Sequence, residues 1–384
     1  MSRIVSVAPV VPDRSYSQGE ITAALLAMIT ADPGRQAVMR RIHASSGVET
    51  RNLVMPLEQY SSIASFQESN DFFIAEGTTL AERALTGALA AAGLQPTDVD
   101  FLLFTSVTGI AAPSIDAQLV QRLGLRTDVK RLPSFGLGCV AGAAGIARVH
   151  DYLTGHPNEV AVLLSVELCS LTVQASDDSM ANIVASGLFG DGAAAVIMVG
   201  DNRAKQLGLP GPEIVDTRSR IYPDTADVIG WDIGGTGFRI VLSAGVPEVI
   251  DRNFASDAEG LLAAHDLTIA DVGAWAAHPG GPKVLEAFAR ALDLPDGALD
   301  ASWRSLARVG NLSSAAVLHV LAELMDAHQA PGTNGLLFAL GPGVTAELVL
   351  LHWADGSAES HDRAALDGAA LDPEDDGTAM GTAA

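Results

Sequence analysis

The chain has 384 residues, of which 48% are hydrophobic and 18% are charged, a composition typical of a globular protein and too apolar for a disordered one. Its formal net charge of −23 argues against nucleic-acid partners, which require clustered Lys and Arg. No apolar run reaches the roughly 18 residues of a transmembrane helix, and the N-terminus lacks a secretory pattern, so we expect a cytoplasmic protein without a membrane span. Two cysteines exclude a disulfide framework and a cysteine-rich metal site.

The two ends of the chain carry opposite charge features. Near the N-terminus, Arg35, Arg40, Arg41 and Arg51 form a basic island. It is either the solvated face of a helix or a dock for a phosphorylated carrier such as coenzyme A. From about residue 356 onward, acidic residues dominate and bulky apolar ones are scarce. We therefore predict that residues 356–384 are an acidic disordered tail.

Three segments recur in the same order along the chain. Residues 90–109 resemble 263–281, residues 138–153 resemble 310–325, and residues 188–200 resemble 336–351. Short apolar runs alternate with helical patterns throughout, which predicts an α/β protein with two similar halves, 1–205 and 206–355. Chance similarity among Ala-, Gly- and Leu-rich segments is the alternative.

Cys139 lies in the segment PSFGLGCVAGAAG. Gly136 and Gly138 permit a sharp turn, and the small residues that follow favour a helix whose N-terminus would stabilise a thiolate. This pattern predicts a nucleophile. The alternative, a small buried hydrophobic residue, better describes Cys169 in VAVLLSVELCSLTV. The two glycines also resemble a dinucleotide-binding loop, but no apolar strand precedes them and the third glycine is misplaced.

His278 and Asn311 are the other candidate catalytic residues. His278 ends the apolar segment GAWAA before Pro279, and Asn311 begins the helical segment NLSSAAVLHVL, where helix capping is its alternative role. The repeat aligns Asn311 with Cys139, and α/β folds gather catalytic groups at such junctions. Cysteine with histidine predicts an ion-paired thiolate, and histidine with asparagine provides two donors for an oxyanion. Without a carboxylate to orient the histidine, acyl transfer is favoured over hydrolysis.

These motifs make the sequence similar to the chalcone synthase-like, or type III, polyketide synthases over residues 3–353. It is most similar to actinobacterial members that make alkylpyrones or alkylresorcinols. The resemblance implies a thiolase-like fold with two α/β halves in αβαβα layers, and a homodimer. The motifs are FGLGCVAGAAG (135–145), SGLFGDGAAA (186–195), AHPGGPKV (277–284), GNLSSAAVL (310–318) and ALGPGVTAELVLL (339–351).

The resemblance also implies a reaction. Cys139 would accept a starter acyl group from an acyl-CoA. His278 and Asn311 would stabilise the enolate formed when malonyl-CoA loses carbon dioxide, and the enolate would attack the acyl group. Acyl-CoA and malonyl-CoA are then substrates, and no metal, flavin, nicotinamide or carrier-protein group is implied.

Further residues take their predicted roles from the same resemblance. Those expected to contact coenzyme A are Arg51, Gly280 and Gly281. Those expected to line the acyl cavity are the gatekeeper Phe189, Val107, Cys169, Ile240, Gly341, Pro342 and Gly343.

Several of these positions depart from the family pattern. Ile240 stands where plant members carry phenylalanine, and Val107, Ala112, Ala339 and Leu340 also differ. We therefore expect a roomy apolar cavity for a medium or long acyl chain and an alkyl pyrone or resorcinol product. The alternatives are a single-round β-ketoacyl synthase and a catalytically silent acyl-binding homologue.

Overall fold

A computed structural model describes residues 1–354, so the acidic tail predicted at 356–384 lies outside the described residues. Strands and helices alternate along this range, as the apolar periodicity predicted. The strands are β1 (Ser2–Val10), β2 (Arg14–Ser17), β3 (Thr50–Leu53), β4 (Phe101–Thr105), β5 (Lys130–Ser134), β6 (Val160–Leu168), β7 (Asp191–Gly200), β8 (Glu213–Ile221), β9 (Ile229–Gly234), β10 (Gly237–Leu242), β11 (Val272–Ala277), β12 (Asn334–Gly341) and β13 (Thr345–His352). The α-helices are α1 (Gln18–Ile29), α2 (Pro33–Ala44), α3 (Phe66–Ala92), α4 (Ile115–Leu123), α5 (Ala141–Gly155), α6 (Met180–Leu188), α7 (Asp201–Leu207), α8 (Val246–Ala263), α9 (Pro282–Ala291), α10 (Asp300–Val309) and α11 (Ala316–Asp326).

Nine strands form one sheet in the order β11-β12-β13-β8-β1-β7-β6-β4-β5. The same pairing pattern occurs on both sides of the β1–β8 junction. In the first half, β4 pairs with β6 in parallel, and the β6–β7 and β7–β1 pairs are antiparallel. In the second half, β11 pairs with β12 in parallel, and the β12–β13 and β13–β8 pairs are antiparallel. The internal repeat is therefore a repeat of topology. The predicted boundary after residue 205 falls inside α7, and β8 begins at Glu213.

Successive side chains of a strand point to opposite faces of the sheet, and their contacts show which helices cover each face. Along β6, Val162 and Leu164 pack against the cluster that contains α1 to α4, whereas Leu163 packs against the cluster of α5 and α11. Along β12, Leu337 faces that same central cluster, and Phe338 faces the cluster of α8, α9 and α10. Helices α5 and α11 thus lie between the two halves of the sheet, with further helices outside each half. This arrangement confirms the predicted layered, thiolase-like α/β fold.

The two central helical segments approach closely because α5 is rich in small residues. A side chain at Gly142 would place its Cβ 2.3 Å from the carbonyl oxygen of Ser314, immediately before α11. Any substitution there would force apart the two segments that carry Cys139 and Asn311. None of the helices in residues 1–354 is long and apolar enough to cross a membrane.

Candidate active site

Cys139 lies on a single 3₁₀ turn, Gly138–Val140, that leads directly into α5. Gly138 has a φ of +56°, and a Cβ at that position would lie 2.6 Å from Cδ of Pro342. Glycine is required here for both reasons: the left-handed backbone and the contact with Pro342. Cys139 remains partly exposed, and its Sγ is 3.6 Å from Oγ of Ser313.

Asn311 is held in one orientation by its own backbone. Its Oδ1 accepts a hydrogen bond from the N–H of Ser313 at 2.8 Å, and its Nδ2 donates one N–H to the carbonyl oxygen of Gly280 at 3.4 Å, which leaves the second N–H of Nδ2 for a ligand. The helix expected to begin at Asn311 begins later: a 3₁₀ turn, Ser313–Ala315, precedes α11. Because the carboxamide oxygen is engaged in this local turn, the amide N–H is the group available to a ligand.

His278 follows the last residue of β11. Its backbone N–H donates to the carbonyl oxygen of Phe338 at 2.9 Å, which extends the parallel pairing by one residue, and Ser302 Oγ donates to the carbonyl oxygen of Ala277. The ring is buried, and its Nδ1 has no hydrogen-bond partner within the described chain. Burial lowers the pKa of His278 to about 4, so the imidazole is neutral at physiological pH.

The cysteine is also neutral. Burial raises the pKa of Cys139 to about 12; the hydrogen bond with Ser313 opposes this shift, and the nearby Glu167 carboxyl adds to it. Both shifts run against the predicted resting thiolate–imidazolium pair. Burial disfavours the charged form of both groups, the thiolate of Cys139 and the imidazolium of His278.

The structure brings the three predicted catalytic residues to one cleft. Its wall is mainly apolar, with a few polar groups at the reactive end, as is typical of small-molecule sites. The lining residues are Gly138, Cys139, Phe189, Ile229, Gly230, Trp231, Ile240, Leu242, Val246, His278, Gly280, Val284, Asn311, Ser313, Leu340 and Pro342.

Four further predicted residues, Phe189, Ile240, Gly280 and Pro342, line this cleft, and the remainder do not. Val107 and Cys169 are buried, and the Val107 N–H donates to Glu167 Oε2 at 3.1 Å. Gly341 packs behind the nucleophile turn, since a Cβ there would lie 2.6 Å from the carbonyl oxygen of Leu137. Gly343, at φ +63°, and Gly281, which lies against Leu188, flank lining residues without contributing to the wall.

The structure contradicts the role predicted for Arg51. Only 2% of this residue is exposed, and its guanidinium donates to the carbonyl oxygen of Phe189 and to Oε1 of Gln18, both at 2.7 Å. A coenzyme A phosphate would have to enter the protein interior to reach it. The predicted phosphate contact of Arg51 is therefore wrong in this structure, because the side chain points inward from β3 under the segment that carries Phe189.

Sequence reasoning missed Trp231, which lies on the wall of the cleft. It sits on β9 and is the antiparallel partner of Ile240 on β10, so the two side chains share one face of the hairpin. The segment IGGTG between two apolar runs is a hairpin signal, and counting back from Ile240 across that turn would have found Trp231.

A cysteine, a neutral histidine and an asparagine amide at one apolar cleft, on paired α/β halves, are typical of condensing enzymes with a thiolase-like fold. Comparison with known proteins agrees. Residues 2–202 match the family model of chalcone and stilbene synthases, N-terminal domain, and residues 213–354 match the corresponding C-terminal domain. The chain therefore belongs to the chalcone and stilbene synthases, and is a type III polyketide synthase and an acyltransferase, as the sequence predicted.

The similarity to individual relatives extends over most of the chain. A 1,3,6,8-tetrahydroxynaphthalene synthase of Streptomyces peucetius subsp. caesius is 53% identical over 352 residues, which cover 91% of this chain and 93% of the relative. The α-pyrone synthesis polyketide synthase-like Pks18 of Mycobacterium tuberculosis is 29% identical and covers 88% of each chain. The crystal structure of the Streptomyces coelicolor tetrahydroxynaphthalene synthase superimposes with a TM-score of 0.86 at 30% identity, covering 92% of this chain and 99% of that one.

Proposed function

We propose that the enzyme condenses malonyl-CoA units by decarboxylation, with Cys139 as the acyl carrier and His278 and Asn311 as the groups that stabilise the enolate. The observation that carries the proposal is the meeting of these three side chains at one cleft. In the loading step, the Cys139 proton passes to the neutral imidazole and Sγ attacks the thioester carbonyl. The coenzyme A thiolate leaves and takes up that proton, which restores the neutral histidine.

The extension step needs stabilisation of negative charge on oxygen. The carbon–carbon bond to the malonyl carboxylate breaks, carbon dioxide leaves, and the electron pair remains as a thioester enolate. Asn311 Nδ2, and His278 in the tautomer that carries its proton on the nitrogen toward the cleft, are the donors that this oxyanion would meet, and preorganised donors are worth most in a desolvated site. The enolate carbon then bonds to the acyl carbonyl, and the carbon–sulfur bond to Cys139 breaks.

Hydrolysis is disfavoured because no carboxylate among residues 1–354 orients His278 as a base toward water. Glu167, a buried acid near Cys139, is already engaged: Thr108 Oγ1 donates to its Oε2 at 2.9 Å, and Ser314 donates to its other oxygen. Burial also raises the pKa of Glu167. Its carboxyl group is therefore committed to the interior network behind the cleft.

For the product, we propose an aromatic polyketide built from malonyl-CoA as both starter and extender, with 1,3,6,8-tetrahydroxynaphthalene as the first candidate. All ten carbons of that product lie in its rings, so five two-carbon units supply them without an alkyl starter. Trp231 supports a small starter because its indole lies beside Ile240 on the same face of the hairpin and takes up part of the wall where an alkyl chain would need room. The 53% identical relative supports the same choice.

The second candidate product is the alkyl pyrone or resorcinol expected from the sequence. The apolar part of the wall favours it, since Ile229, Ile240, Leu242, Val246 and Val284 would solvate an alkyl chain. The similarity to the α-pyrone-related relative points in the same direction. Neither product requires a redox or metal cofactor, and we propose that none is used.

One experiment separates the candidates. The purified protein is incubated with labelled malonyl-CoA alone and with a ladder of acyl-CoAs from acetyl to dodecanoyl, and the products are identified by mass spectrometry. Tetrahydroxynaphthalene from malonyl-CoA alone supports the first candidate, whereas products that carry the added acyl chain support the second. A β-keto product after one extension indicates a single-round synthase. No turnover, with the same result for Cys139→Ala, indicates a silent homologue.

We also propose that two copies of the chain associate through the β5 end of the sheet. β5 is an edge strand whose outer side has no partner among residues 1–354, and Leu132 and Phe135 there are each 50% exposed. These exposed apolar side chains favour packing against a second copy across a twofold axis, whereas Lys130 and Pro133 on the same strand disfavour backbone pairing. Light scattering should give the mass of a dimer, and Leu132→Lys should shift it toward the monomer; a monomeric wild type would refute this.

A further inference from the structure

Arg51 is a buried cation that no step of the proposed reaction uses. It lies on β3, and its two terminal nitrogens donate to the Phe189 carbonyl oxygen and to Gln18 Oε1. Gln18 in turn donates from Nε2 to the carbonyl oxygen of Gly187 at 2.7 Å and to Oγ of Ser46 at 2.9 Å. Arg51 and Gln18 together therefore hold the backbone at 187 and 189, on either side of Leu188.

The segment they hold is bound directly to the segment that carries Asn311. The Asn311 N–H donates to the carbonyl oxygen of Leu188 at 2.8 Å, and the N–H of Gly190 donates to the carbonyl oxygen of Asn311 at 3.0 Å. The stem of Arg51 touches this second segment as well, because a Cβ at Gly310 would lie 3.0 Å from Arg51 Cδ. One side chain thus supports the backbone of both Phe189 and Asn311 from below the cleft.

The charge of Arg51 is retained despite burial. Burial lowers the pKa of Arg51 to about 10, an effect that the Asp191 carboxylate opposes, so the guanidinium stays protonated at neutral pH. A buried cation is costly unless its hydrogen bonds are made, and the two that Arg51 makes, from its terminal nitrogens, hold the Phe189 carbonyl and Gln18, whereas its Nε has no partner within residues 1–354. A charged donor to a backbone carbonyl is also stronger than a neutral one, which suits a fixed support.

We infer that Arg51 is a positioning residue for the condensing site, which sets the amide of Asn311 and the ring of Phe189 through the backbone that bears them. The inference rests on the proposed function, in which Asn311 stabilises the enolate. It replaces the expected contact of Arg51 with a phosphate of coenzyme A. The two roles predict different kinetics: a positioning residue changes the rate of decarboxylation, whereas a phosphate contact changes the binding of coenzyme A.

The test is Arg51→Lys, which keeps the charge and loses the two-pronged head group. Malonyl-CoA decarboxylation is compared with that of malonyl-pantetheine, which lacks the nucleotide phosphates. We expect kcat to fall about 10- to 100-fold on both thioesters, because a displacement of about 1 Å can cost on the order of 10²-fold. We expect KM to stay within about threefold of wild type on each thioester. Gln18→Met, a milder break in the same support, should lower kcat on both thioesters to a smaller extent.

Arg3→Lys is the matched control. Arg3 also donates to a backbone carbonyl, that of Leu209, and pairs with Glu213, but it lies at the β1–β8 junction away from the cleft. It should lower the melting temperature and leave kcat unchanged.

The other outcomes overturn specific claims. A rise in KM confined to malonyl-CoA would restore the phosphate contact. Normal kcat in both Arg51→Lys and Gln18→Met would reduce Arg51 to a structural role. If Arg51→Lys does not fold, Gln18→Met alone decides between these results. A wild type that does not decarboxylate malonyl-CoA would overturn the proposed function itself.

Discussion

Replacing Trp231 by alanine tests which starter the cleft accepts. Trp231 and Ile240 are cross-strand neighbours on one face of the β9–β10 hairpin, and both line the cleft. Removal of the indole would leave space where an extended alkyl chain could lie against Ile229 and Leu242. A buried methylene contributes about 0.8 kcal/mol, so the four extra methylenes of a hexanoyl starter over an acetyl starter contribute about 3 kcal/mol. This corresponds to a gain on the order of 10²-fold in the ratio of kcat/KM values.

The assay is kcat/KM for acetyl-CoA and hexanoyl-CoA as starters, with malonyl-CoA saturating and products identified by mass. Trp303→Ala is the matched control, since Trp303 is a partly buried tryptophan of α10 that does not line the cleft. Ile240→Phe should act in the opposite direction, with about 5- to 150-fold lower efficiency for the longer starter if overpacking costs about 1–3 kcal/mol. A hexanoyl-to-acetyl ratio that stays the same in both variants would refute this account of the cleft wall.

Three further predictions address the catalytic groups and the interior. Incubation with an acyl-CoA should place the acyl mass on Cys139, and Cys139→Ala should form no product; label on the other cysteine would reject the nucleophile. Asn311→Ala should lower malonyl-CoA decarboxylation about 10²- to 10³-fold through loss of one oxyanion donor, and a rate near that of wild type would remove it from the site. Burial lowers the pKa of His319 to about 4 from 6.5, so between these pH values the unfolded chain binds a proton that the folded protein excludes. The stability of wild type relative to His319→Gln should therefore fall by up to about 1.4 kcal/mol per pH unit as pH drops from 6.5 to 4, and chemical denaturation that finds no slope would contradict the burial argument.

The sequence by itself determined the fold class, the family and the three residues at the centre of the cleft. Each depended on a local signal. Glycines beside Cys139 require a turn, Pro279 ends the strand before His278, and the repeat relates Asn311 to Cys139. Such signals are readable because turn geometry and strand ends depend on adjacent residues. The alternation of apolar runs and helical patterns likewise reports local burial, so it was sufficient to predict an α/β protein, whereas the layered thiolase-like arrangement was predicted from the family resemblance.

The tertiary structure decided the matters that depend on distant neighbours. The sequence places Arg51 in a basic island that could lie on the surface. In the structure its side chain points inward from β3 and donates to the carbonyl oxygen of Phe189, a residue 138 positions further along the chain. Trp231 lines the cleft because the β9–β10 hairpin that carries it packs beside the catalytic residues. Burial shifts the pKa values of Cys139 and His278 against the expected ion pair, and burial is set by all the surrounding helices and strands, which the local sequence does not show. Burial and long-range packing are properties of the assembled layers, and they determine the shape and charge state of this site.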